Sequence, residues 1–154
     1  MDGACTVLIG DEGGQHLLMR ALHRPDPQET DYWDGNWIES QVLVAAGGFH
    51  GSIGLSLRAE EFVDFRDQLA SLSERLDGTA RFSTMEGQLK LTLSGDGKGH
   101  VLVEGVVLDE AGVGNSLSFS FEIDQTYLSG LLQSLDAVIT RFPVVGRRHG
   151  RIDG

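Results

Sequence analysis

A strand-then-helix pattern written twice constrains this chain more than anything else in it. Within 51–58, Ile53, Leu55 and Leu57 alternate with small or polar residues, the period of a strand with one buried face. Phe62, Phe65, Leu69, Leu72 and Leu76 then recur at steps of three and four, the period of an amphipathic helix. Adding 66 to each number lands on Phe119, Phe121 and Ile123, and then on Leu128, Leu131, Leu135, Val138 and Phe142. Eight apolar positions in register predict two similar halves, about 38–77 and 104–143, each an antiparallel β-meander followed by a helix. Each helix carries one apolar stripe and so buries one face. The expected fold is therefore α+β, one domain over 1–143 with both helices packed on one side of the sheet or sheets.

The remaining segments fit that frame. Residues 5–9, 17–23 and 38–45 read as strands, as do 79–86, 88–93, 100–108 and 115–123, with the glycine-rich 94–99 as a tight connection. Asp77-Gly78 suits a helix stop, Asp124 suits the N-cap of the second helix, and Pro143 ends it. Residues 144–154, VVGRRHGRIDG, are glycine-rich and basic and are expected to form a flexible tail.

Charge narrows the partners. The 154 residues carry a net charge of −11, and residues 1–140 hold 22 acids against 8 bases, or −14, because Arg141, Arg147, Arg148 and Arg151 lie near the end. Such a surface repels phosphate backbones, so nucleic acid is not an expected partner. It attracts basic proteins and steers their approach, although acidity also serves solubility alone. The single cysteine, Cys5, excludes an intrachain disulfide. No apolar run reaches the roughly 20 residues that span a bilayer, and Met1-Asp2-Gly3-Ala4 lacks the features of a signal peptide. The expectation is a cytoplasmic protein with no membrane partner.

No catalytic motif occurs in the sequence. Gly95, Gly97 and Gly99 lack the final spacing of a dinucleotide fingerprint, and no phosphate-cradling loop occurs. His50-Gly51-Ser52-Ile53-Gly54 has histidine where a nucleophile elbow needs its first glycine. The histidines His16, His23, His50, His100 and His149 show no zinc-ligand spacing. Glu60, Glu61, Asp64 and Asp67 fall on the polar face of the first helix and read as a solvated surface. No catalytic residue, metal or cofactor is assigned.

Thr30 to Trp37, TDYWDGNW, is the oddest local composition. Tyrosine and tryptophan are enriched at interface hot spots, and neighbouring acids complement a basic partner. Asp31, Tyr32, Trp33, Asp34 and Trp37 are accordingly candidate partner-binding residues, with the Asp109-Glu110 turn extending an acidic rim. One or both tryptophans can equally serve as core at a strand entry. Asp34-Gly35 reads as a turn able to take positive φ.

The order of several motifs carries a resemblance. DYWDGNWI, a strand ending in Gly47-Gly48-Phe49, a helix with Phe65-x-x-x-Leu69-x-x-Leu72, Leu76-Asp77-Gly78-Thr79-Ala80-Arg81-Phe82, and Asp124-Gln125-Thr126-Tyr127-Leu128 together resemble the bacterial WapI-type immunity proteins, from about Thr30 to Pro143. The resemblance implies a non-enzymatic cytoplasmic protein that binds and neutralises a cognate toxin domain delivered between competing bacteria. Many such toxins are nucleases with basic clefts, which an acidic body suits. An adaptor or scaffold domain holding some other protein is the alternative.

Overall fold

In the computed structural model, residues 5–148 are described. Strands β1 (Cys5–Gly10), β2 (His16–His23), β3 (Trp37–Ala46) and β4 (Phe49–Arg58) form one antiparallel sheet in sequential order. Helix α2 (Ala59–Arg75) follows. A second antiparallel sheet holds β5 (Asp77–Ser83), β6 (Leu89–Asp96), β7 (His100–Glu110) and β8 (Val113–Asp124), again in sequential order, and leads into α3 (Leu128–Arg141). One short helix, α1 (Tyr32–Gly35), interrupts the β2–β3 connection.

The meanders follow from alternation and from tight turns. Gly47 and Gly48 close a two-residue hairpin between Ala46 and Phe49, with Gly47 at φ 60°. Gly105 faces Phe119 across β7 and β8, and a Cβ there would lie 2.4 Å from Cζ of that ring. A larger residue would push the ring out of the core.

Both helices bury the expected stripe. Phe62, Phe65, Leu69 and Leu72 of α2, and Leu128, Leu131, Leu135 and Val138 of α3, are all at most 3% exposed. Each fully buried side chain of this kind contributes on the order of 1.5–3 kcal/mol. Leu76, not Asp77-Gly78, closes α2: it adopts the left-handed conformation at φ 62° and donates its N–H to the Leu72 carbonyl. Asp124 caps a single 3-10 turn, Gln125–Tyr127, through Thr126 N–H, and α3 begins immediately after.

The helices cross over between the halves. Helix α2 lies against β5 of the second sheet, α3 lies against β1 of the first, and the two helices touch. The sheets also meet directly, β3 against β8 and β4 against β7. One hydrophobic core runs through all of these elements. Neither half encloses its own apolar face, so the two halves complete each other.

Candidate functional site

The Trp33 region is organised by a residue that periodicity did not single out. Arg58, the last residue of β4, has a fully buried side chain. Alternation places Leu57 on the core face and sends Arg58 the other way, where α1 covers it. Its guanidinium donates to the backbone oxygens of Tyr32 at 2.7 Å and Trp33 at 2.8 Å, and through Nε to Glu60 Oε2 at 2.5 Å. The rings of Trp37, Tyr32 and Trp33 surround it, with centroids 4.7, 5.4 and 5.6 Å from Cζ. Burying a cation this deeply is tolerable only because a carboxylate, two carbonyls and three ring faces replace water.

A second set of bonds seats α1. Asp31 caps it, accepting from Trp33 N–H at 2.9 Å and Asp34 N–H at 3.1 Å. Buried Asn36 donates to the oxygens of Tyr32 and Val145 and accepts from Val145 N–H at 2.9 Å. Arg24 bridges the Gly35 and Pro143 carbonyls. The opening of the segment expected to be a loose tail is thus fastened against α1, while 149–154 lie outside the described residues. Gly35 is helical with negative φ, not the positive-φ turn expected; a Cβ there would come within 2.6 Å of the Glu29 carbonyl oxygen and 2.8 Å of Val145.

Around this platform opens a groove of about 390 Å³, lined by Tyr32 and Trp33 of α1, Glu60, Glu61 and Asp64 of α2, the β5–β6 hairpin from Ser83 to Met85, and Arg148. It continues past Glu61, Asp64 and Ser83 towards Gln68 and Arg81. Trp33 is 40% exposed and Met85 55%. The groove therefore offers apolar contact beside negative charge.

The expected solvated acidic face holds for Asp64 and Asp67 but not for the first turn of α2. Glu61 reaches back to Arg58 N–H at 2.8 Å and across to Met85 N–H at 2.7 Å. Burial pushes its pKa up to about 7, against the two N–H bonds that favour the carboxylate. Glu60 gives one oxygen to Arg58 and lies within hydrogen-bonding reach of the Tyr32 hydroxyl. Burial, and then the neighbouring Glu60 charge, raises the Tyr32 hydroxyl.

Asp31, Tyr32, Trp33, Asp34 and Trp37 are brought together, in differing roles. Asp31 is spent on the cap, Trp37 is half-buried over Arg58, and Tyr32, Trp33 and Asp34 face outward to differing degrees. Asp109 and Glu110 do not join them. Asp109 holds the β7–β8 turn by accepting from the Asn115 N–H at 2.8 Å and its amide at 3.1 Å, and it lines a cleft with Phe49 and His50 at the far end of the β3–β4 hairpin. Strand geometry puts that end on the order of 20–30 Å from Trp37. Among the described residues no group of three or more His, Cys, Asp or Glu is placed to hold a metal ion, and no helix is long and apolar enough to cross a membrane.

Fold and site together define a two-sheet α+β protein with a groove lined by acidic and aromatic side chains. The sequence model of the immunity protein WapI-like family matches residues 7–143, and the chain belongs to that family. No curated protein matches. Among solved structures, a chain described under "Crystal structures of trypanosoma bruciei MRP1/MRP2" is 12% identical with a TM-score of 0.47, over 90% of this chain and 84% of that one.

Proposed function

We propose that this chain is a non-enzymatic, cytoplasmic immunity protein that binds a cognate basic toxin domain and neutralises it, with the groove between α1 and α2 as the recognition surface. Membership of the immunity family is the observation that carries this reading. The groove supplies the means: exposed Trp33 and Met85 give contact area, while exposed Asp64 at its mouth complements a basic surface. Tyr32, Trp33 and Asp34 are the contact residues on α1. Asp109 and Glu110 serve the opposite end of the molecule.

Co-purification with the toxin domain encoded beside this gene, at low and then high salt, tests the proposal. Tight association that abolishes toxin activity, weakened by salt and by Asp64→Asn, is the expected result. Failure to associate at low salt would remove the immunity reading. An adaptor role would then gain ground through the other end, where Phe49 is 68% and Val113 63% exposed.

A further inference from the structure

We infer that the groove beside Trp33 is a socket for a guanidinium group, and that Arg148 fills it until a basic partner displaces it. The inference rests on the reading of a basic protein partner and names the side chain recognised. Three observations converge. The guanidinium carbon of Arg148 sits 5.6 Å from the Trp33 ring centroid, within stacking range, and Arg148 itself lines the groove. Glu60 on the groove's inner wall already takes one guanidinium, that of Arg58, through Oε2, so a carboxylate suited to this group stands beside the Trp33 ring. Asp64 stands exposed at the mouth.

This chemistry selects arginine over lysine. A guanidinium is planar, weakly hydrated and able to stack on indole while offering its edge to carboxylates, whereas an ammonium is a compact, strongly hydrated point charge. The same chain shows the preference a few ångströms inward, where Arg58 takes a ring-and-carboxylate environment from Tyr32, Trp33 and Glu60.

Arg148 is held near by a fastening that does not depend on the groove. Asn36 pins Val145 through two backbone bonds, leaving only three residues of reach to Arg148. A short tether of this kind presents its group at an effective concentration in the millimolar range. A weakly basic protein then loses the competition, while a partner with an arginine backed by further contacts wins it.

The full chain is titrated at low salt with acetyl-Gly-Arg-Gly-Arg-Gly-amide, read by calorimetry. Arg148→Ala is expected to bind the peptide about five- to tenfold more tightly than the unaltered chain, and Trp33→Ala in the same background to cancel the gain. The lysine counterpart of the peptide binds more weakly. Arg141→Ala makes the same change in net charge and is expected to bring no gain; urea midpoints verify that each variant folds. The socket is overturned if no form binds, if Arg148→Ala binds no more tightly, if Arg141→Ala gains as much, or if the gain survives Trp33→Ala. Because this test contains no toxin, a failed titration with intact toxin neutralisation removes the socket alone. Failed toxin association with Arg148-dependent peptide binding removes the toxin reading alone.

Discussion

Arg58 and Asp124 occupy the same place in the two halves, 66 residues apart, where the fourth strand of each sheet turns into its helix. At the second junction an exposed aspartate caps a 3-10 turn through one N–H, and nothing more is needed to start α3. At the first, an arginine is buried among three rings, a glutamate and two carbonyls, Glu61 accepts the Arg58 N–H at the helix start, and α1 is added to cover the assembly. The second junction measures what the fold requires. The excess at the first goes beyond what starting a helix requires, and it is concentrated where the groove opens.

The largest difference between the junctions lies at Arg58. Arg58→Ala leaves Glu60 and the α1 carbonyls buried without their partner and is expected to cost about 3–5 kcal/mol, read from the urea midpoint. Indifference to that change would mean the first junction is as simple as the second. The cores, by contrast, should behave alike: Phe65→Ala and its counterpart Leu131→Ala are each expected to cost roughly 2–5 kcal/mol, and a large disparity would show that the halves are unequal throughout.

Glu61 sharpens the contrast through pH. Its pKa is raised from 4.5 to about 7, chiefly by burial. The native state therefore holds this proton more tightly than the unfolded chain does. Stability from this group is fully present below pH 4.5 and is lost as pH rises through 7, by on the order of 2–3 kcal/mol. Glu61→Gln should flatten that part of the stability curve. An unchanged profile would place the titration elsewhere.

Smaller effects belong to the second junction. Asp124→Ala removes one exposed cap and is expected to move the urea midpoint by less than roughly half as much as Arg58→Ala. Nearby, Asp96 accepts from His100 Nδ1 at 2.8 Å, is held at about 2 first by that bond, and raises the His100 pKa in return. The stabilisation is fully present between pH 3.8 and 6.5, is lost as pH falls through about 2, where Asp96 takes up its proton, and fades as pH rises through the raised folded-state value of His100. Asp96→Asn should lower the His100 pKa in an NMR titration, with a slight effect on stability because both side chains are exposed.

Most of the fold was legible because it rests on period. Ile53, Leu55 and Leu57, and the stripes from Phe62 and Leu128, declare strand or helix by spacing alone. The site was half legible. The aromatic composition of 30–37 pointed to the right surface, but its centre, Arg58, lies 21 residues beyond Trp37 and looks like an ordinary polar residue at a strand end. Its nearest sequence signal was Glu61 three residues on, in the spacing of a capping box whose first member is usually serine or threonine. Glu60 and Glu61 looked solvated because helical spacing puts them opposite the apolar stripe. They are covered by α1 and the β5–β6 hairpin, both distant in sequence. Asp109 was grouped with Asp31 on composition, and no local pattern reveals that they mark opposite ends of a long hairpin.

The crossover of the helices has a consequence for synthesis. Strand β1 is among the first described residues to leave the ribosome, and the helix that lies against it, α3, is among the last. At 5–20 residues per second the interval is on the order of ten seconds. Throughout it Val7 and Ile9 lack their final covering, so the completed native state is reached only after translation has passed Arg141. Every nascent chain thus passes through a window in which chaperone capture and misassembly compete with closure.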